Sequence, residues 1–166
     1  MTALEGLTWS LARPIAIGCD HAGVVLKDAL KQYVTEQGYT VLDCGCHSAE
    51  SVDYPSYGAA VADAILVGKA QAGILICGSG VGVSIAANRF NGIRAVLAND
   101  LNTALWSRRH NNANVLCLGA RFVAEPYARD ITQAWLAEPY EGERHDARVS
   151  MLDTLQVSGT PAACSV

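Results

Sequence analysis

The apolar run Gly73–Cys77 ends in a thiol, and the residues that follow are Gly78-Ser79-Gly80-Val81-Gly82. Alternate glycines let a chain turn successive N–H groups toward one point, and a helix opening from the loop, at about 84–89, adds its positive end. Such a nest suits an anion, either a bound phosphate or an oxyanion formed during reaction. The same field favours a thiolate beside it, which makes Cys77 a candidate base or nucleophile. Three familiar loops do not fit. A dinucleotide fingerprint wants G-x-G-x-x-G after the first strand, whereas these glycines follow the third with spacing G-x-G-x-G. A Walker loop lacks its Gly-Lys-Ser/Thr, and a phosphatase loop of the C-x5-R type would need arginine where Val83 stands. On the loop alone, a tight strand-to-helix turn around a buried thiol explains the pattern equally well.

Other reactive types fall at comparable places. Asp20 and His21 follow the apolar run Ile15–Cys19, Asn99 and Asp100 follow Arg94–Ala98, and Arg121 follows Val115–Leu118. His110 lies at a predicted helix end within Ser107-Arg108-Arg109-His110-Asn111-Asn112-Ala113-Asn114; taken alone it reads as a surface or capping histidine. Arg144 and Arg148 are four apart, so one helical face can present both guanidiniums to an anion, although a solvated face has the same spacing. Cys44, Cys46 and His47 form half of a zinc site with no second pair at matching spacing, and the six cysteines read as reduced thiols.

The elements that must position these groups alternate along the chain. Strands are expected at Ile15–Cys19, Thr40–Cys44, Gly73–Cys77, Arg94–Ala98 and Val115–Leu118. Helices are expected at Val24–Gln37 and at about 57–69, 84–89, 100–109, 124–137 and 144–156. Near-continuous apolar strands alternating with helices predict an α/β, Rossmann-like three-layer sandwich with a parallel sheet of about five strands. Right-handed crossovers put every strand C-terminus on one edge, which gathers the acid, imidazole, thiol, loop amides and guanidinium. The extra helix at the C-terminal end has no following strand and must pack on this domain or a neighbour. One domain over 14–157 is expected, with a flexible extension at 1–13 and a mobile tail at 158–166.

Composition agrees with a globular chain. Of 166 residues, 51% are apolar and 17% charged, enough for a core and too few charges for disorder. A net charge of −4 argues against general nucleic-acid or anionic-membrane binding. No apolar run approaches the ~20 residues of a membrane span. The first residues lack a cationic start followed by an apolar block, so a cytoplasmic protein is expected.

In order along the chain stand Gly18-Cys19-Asp20-His21-Ala22-Gly23, Asp53-Tyr54-Pro55, Ile76–Gly82 with Ala86-Ala87-Asn88, Arg109–Asn114, and Arg144-His145. Over about residues 14–156 this set resembles ribose-5-phosphate isomerase type B, in the group that also holds the galactose-6-phosphate isomerase subunits. The resemblance implies an aldose–ketose isomerase working through a cis-enediolate, without metal or cofactor. It implies a homodimer, in some members a tetramer, with active sites at the subunit interface, to which the C-terminal helix would reach across. It assigns Cys77 as base, the Gly78, Gly80, Val81 and Gly82 loop with the Ser79 hydroxyl as enediolate hole, and His110 with Asp20 as ring-opening pair. His21, Arg121, Arg144 and Arg148 match phosphate contacts; Tyr54, Asn88 and Asn111 match other substrate contacts. A second branch of the family uses a glutamate inside the loop; Val83 stands there, which leaves Cys77. Ser79 replaces the threonine of some members and keeps the hydroxyl. Ribose 5-phosphate and ribulose 5-phosphate are the expected pair. A six-carbon substrate (allose or galactose 6-phosphate) and a non-catalytic sugar-phosphate module are the alternatives.

Overall fold

A computed structural model describes residues 8–155. Its five strands are β1 (Ile15–Cys19), β2 (Val41–Asp43), β3 (Ala72–Cys77), β4 (Ala95–Leu97) and β5 (Val115–Gly119). All pair in parallel, in the order β2-β1-β3-β5-β4. The helices are α1 (Val24–Glu36), α2 (Tyr54–Leu66), α3 (Val81–Ala87), α4 (Leu101–Asn111), α5 (Glu125–Ala137) and α6 (Asp146–Thr154), with 3-10 turns at His21–Gly23 and Glu143–His145.

Side-chain alternation along the strands makes the three layers. Ile15, Ile17, Ile74, Ile76, Leu116 and Leu118 are buried on the face that also takes Leu30 of α1 and Ile131 and Trp135 of α5. Ala16, Leu75, Cys77, Val115 and Cys117 are buried on the other, with Val61 of α2 and Val83 of α3. Among the described residues, Cys19, Cys44, Cys46, Cys77 and Cys117 are all free thiols.

Three boundaries differ from expectation for local reasons. Helix α2 starts at Tyr54, three residues early, because Pro55 suits a helix's first turn. Helix α3 starts at Val81, inside the glycine loop, because Gly80 at φ 78° turns the chain straight into it. Gly142, also at positive φ, opens the 3-10 turn at Glu143–His145, so Arg144 precedes α6, on which Arg148 lies.

Of the extension expected over 1–13, residues 8–13 are described, and Trp9 within them lies against the domain. Trp9 stacks on Trp135 with ring centroids 5.6 Å apart and covers the Arg108 guanidinium at 4.3 Å. Residues 1–7 and the tail at 158–166 lie outside the described residues. The half-zinc reading of Cys44, Cys46 and His47 meets a different occupant. The buried Lys27 ammonium lies 3.2 Å from the Cys46 carbonyl and 3.3 Å from His47 Nδ1, and pairs with Asp43 at 3.1 Å.

Candidate active site

Strands β1, β3 and β5 end at one level, Cys19 opposite Ile76 and Cys77 opposite Gly119. From β1 the chain crosses to β2 on one side and β3 on the other, and such a divergence opens the crevice in which open α/β sheets hold ligands. A cavity of about 200 Å³ lies there, lined by Asp20, His21, Tyr54, Cys77, Gly78, Ser79, Gly82 and Arg121.

Within it, the Gly80 N–H donates to Cys77 Sγ at 3.1 Å, so the sulfur is held as an acceptor at the foot of the loop. Only glycine serves at position 80. A Cβ there would sit 2.5 Å from Leu97 and 2.8 Å from the Leu118 carbonyl carbon, on a left-handed backbone. At Gly82 a Cβ would meet the Tyr54 ring at 2.7 Å, and at Gly78 the Arg121 guanidinium carbon at 3.2 Å. The bare backbone thus lets an aromatic ring and a cation close over the loop. Ser79 Oγ accepts the Val81 N–H at 3.3 Å, so two of the loop's amides, those of Gly80 and Val81, are engaged within the loop itself. Asp20 is buried, and its Oδ1 accepts the Ala22 N–H at 2.9 Å, which caps the 3-10 turn and fixes the carboxylate. The Val52 N–H donates to His21 Nδ1 at 3.2 Å.

The remaining candidates gather elsewhere. His110, Asn111 and Arg148 line a second cavity of about 320 Å³, together with His145, Val149 and Leu152. The two cavities share no lining residue. Asn88 lines a third hollow with Asn111, and its side-chain amide is spent on β4: Nδ2 donates to the Ala95 carbonyl and Oδ1 accepts the Ala95 N–H, both at 2.8 Å. Arg144 lines neither of the first two cavities; its Nε donates to His145 Nε2 at 3.2 Å.

Of three neighbours of His110, His145 entered the sequence reading only within the Arg144-His145 motif and with no role, and Trp106 and Glu141 escaped it. The His145 ring stacks on His110, with centroids 4.2 Å apart and planes at 15°. Trp106, one helical turn before it on α4, packs at 4.5 Å. Glu141 places Oε2 3.5 Å from His110 Nε2. The i, i+4 spacing of Trp106 and His110 was available as a signal; nothing local announces Glu141.

The donor atoms of His110, Glu141 and His145 lie within 4.8 Å of one another. They do not make a metal centre. The two imidazole planes run nearly parallel, so their in-plane lone pairs do not converge, and the Arg144 donation already occupies His145 Nε2. Burial, His110, Arg144 and Arg148 together hold the His145 imidazole below its usual pKa against the opposing pull of Glu141.

Fold and site define a class: an α/β enzyme that sets a sulfur and a glycine-rich loop at the switch point of a parallel sheet. Residues 15–152 match the family model described as Ribose/Galactose Isomerase. The chain is 46% identical over 144 residues to ribose-5-phosphate isomerase B of Escherichia coli, a match covering 87% of this chain and 97% of that protein. It is 43% identical over 129 residues to D-erythrulose-4-phosphate isomerase of Pectobacterium atrosepticum, covering 77% and 85%. The solved ribose-5-phosphate isomerase B of Clostridium thermocellum superposes with a TM-score of 0.84 at 45% identity, covering 85% of this chain and 95% of that one. That of Thermotoga maritima gives 0.84 at 44%, covering 86% and 99%. The chain belongs to the ribose/galactose isomerase family and is an isomerase.

Proposed function

We propose that the chain interconverts ribose 5-phosphate and ribulose 5-phosphate, with Cys77 as the base. The observation that carries the reading is the Gly80 N–H on Cys77 Sγ, in a cavity that also holds Asp20, His21, Ser79 and Arg121. His110 gives a proton to the ring oxygen while Asp20 takes the one from the C1 hydroxyl, which opens the sugar. The Cys77 thiolate removes the C2 proton, the electron pair moves into a cis-enediolate, the hydroxyl proton passes from O2 to O1, and the same sulfur returns its proton to C1. Amides of the 78–82 loop and the Ser79 hydroxyl meet the charge that grows on the two oxygens. His21 and Arg121, with Arg144 and Arg148, hold the phosphate, and Tyr54 and Asn111 flank the sugar, while Asn88, with both amide atoms on Ala95, braces β4. The proton transfer between neighbouring carbons is internally balanced and calls for no cofactor.

Within one chain the Cys77 set and the His110 set line separate cavities. The reaction needs both on one sugar, so we assign the working unit to a homodimer in which His110, Asn111, Arg144 and Arg148 of one copy complete the Cys77 cavity of the other. Helix α6 suits that role, since its Met151 and Leu152, with Leu155 just after it, leave 63%, 44% and 72% of their surface exposed. No described helix is long and apolar enough to cross a membrane. Free thiols fit a reducing, cytoplasmic setting.

The test is a panel of four-, five- and six-carbon aldose phosphates assayed with a chelator present. The highest kcat/KM is expected on ribose 5-phosphate. Cys77→Ala should lose at least about a thousandfold in kcat while still binding the sugar phosphate. Full activity in that variant would remove Cys77 as base, and preference for a six-carbon sugar would change the substrate alone.

A further inference from the structure

His145 plays no part in the chemistry described above, yet it is buried and touches two groups that do. Its Nε2 lies 3.2 Å from Arg144 Nε. A guanidinium has donors only, so that nitrogen must carry a lone pair, and the ring's proton, if it has just one, sits on Nδ1. The tautomer is therefore dictated by the partner. The ring's flat side meets His110 at 4.2 Å, and His110 is closed on by Trp106 at 4.5 Å. The charged and titratable groups around His145 are His110 from α4, Glu141 from the preceding loop with Oε2 at 3.8 Å, Arg144 beside it and Arg148 from α6. Three of the four are cations or can become so. A second proton on His145 would point a donor at Arg144 and set like charge against a protonated His110.

We propose that His145 is a positioning residue. As a neutral imidazole it holds the Arg144 guanidinium on Nε2 and the His110 ring against its face, so that a phosphate contact and the ring-opening proton donor are fixed as one unit. The inference rests on the isomerase reading, in which those two groups touch opposite ends of the sugar phosphate. Its consequence is a split that simple packing would not give. Losing the nitrogen frees Arg144 and weakens phosphate binding, whereas losing the flat ring frees His110 and slows ring opening.

Two measurements test it. In ¹⁵N-histidine NMR of the wild-type protein, His145 Nε2 should show the shift of an unprotonated acceptor at pH 7, and it should keep that shift to a lower pH than free imidazole does. A protonated Nε2 at pH 7 would overturn the inference whether or not the protein is an isomerase. In kinetics on ribose 5-phosphate, His145→Ala should raise KM and lower kcat, each about tenfold. His145→Gln, whose amide oxygen can still accept from Arg144, should return KM to within about twofold of wild type and leave kcat low. Variants equal to wild type in both constants, or a glutamine no better than alanine in KM, would reduce His145 to packing. Wild-type protein inert on every aldose phosphate would instead sink the isomerase reading, with the NMR result standing apart from it.

Discussion

The place of Cys77 Sγ is set by the backbone beneath it, and that backbone hangs on Gly80. Alanine there must adopt a left-handed backbone and push Leu97 and the β5 carbonyl aside, so Gly80→Ala should destabilise the fold by about 2–4 kcal/mol and cut activity with it. Urea denaturation read beside the isomerase assay checks both; an unchanged midpoint would show that the loop relaxes at no cost. The other thiols stand in contrast. Burial drives Cys117 far up and Cys19 to about 12, and neither reaches the cavity. Iodoacetamide at pH 8 should therefore leave Cys19 and Cys117 unmodified, while substrate protects Cys77; peptide mass spectrometry reads each site separately.

At the scale of elements, a short strand and a terminal segment each depend on one buried cation. Three-residue β2 is tied to α1 through Lys27 and Lys31, both on Asp43. Although burial alone would raise it, the two ammonium groups and the Gly45 amide bring the Asp43 carboxyl down to about 2 from 3.8. Its folded value is depressed, so the stabilisation is complete above the unfolded value near 4 and is lost as pH falls from there through about 2. Asp43→Asn should cost about 2 kcal/mol at pH 7, because the buried Lys27 ammonium then keeps only the exposed Asp28, at 3.2 Å, as a charged partner, and that penalty should shrink below pH 3. Thermal melts across that window give the answer. The 8–13 segment depends likewise on Arg108, which donates to the Ala113 carbonyl at 2.6 Å and to Asn112 Oδ1 at 2.9 Å while Trp9 lies over its guanidinium. These bonds fasten the end of α4 that bears His110. Trp9→Ala should lower stability by about 2–4 kcal/mol, a loss that equilibrium unfolding would detect.

For the whole molecule, the decisive feature is that one chain keeps Cys77 and His110 in different cavities. If two copies complete each other, Cys77→Ala and His110→Ala are each inactive alone but complementary when mixed. After unfolding and refolding together in equal amounts, half the dimers are mixed, and each has one site with both groups intact. About a quarter of wild-type activity should return. No recovery, in a mixture shown by mass to contain mixed dimers, would mean that both groups serve from the same chain. Size measurement in solution should show at least a dimer at assay concentration.

Much of this was legible along the chain. Alternating apolar strands and helices dictate a parallel sheet. Parallel strands joined by right-handed crossovers must end on one edge, so Asp20, His21, Cys77 and Arg121 were expected along it, as were Asn99 and Asp100, which do not line the cavity, and the glycine spacing announced the loop. Those features follow from short-range sterics and periodicity, which each segment carries within itself. The strand order β2-β1-β3-β5-β4, the burial of Lys27, the seat of Trp9 on Arg108 and the joining of Glu141 and His145 to His110 were decided only by the folded molecule. Each brings together side chains distant in sequence or turned by a local kink such as Gly142, and the packing of whole layers, which no single segment encodes, sets which of them touch.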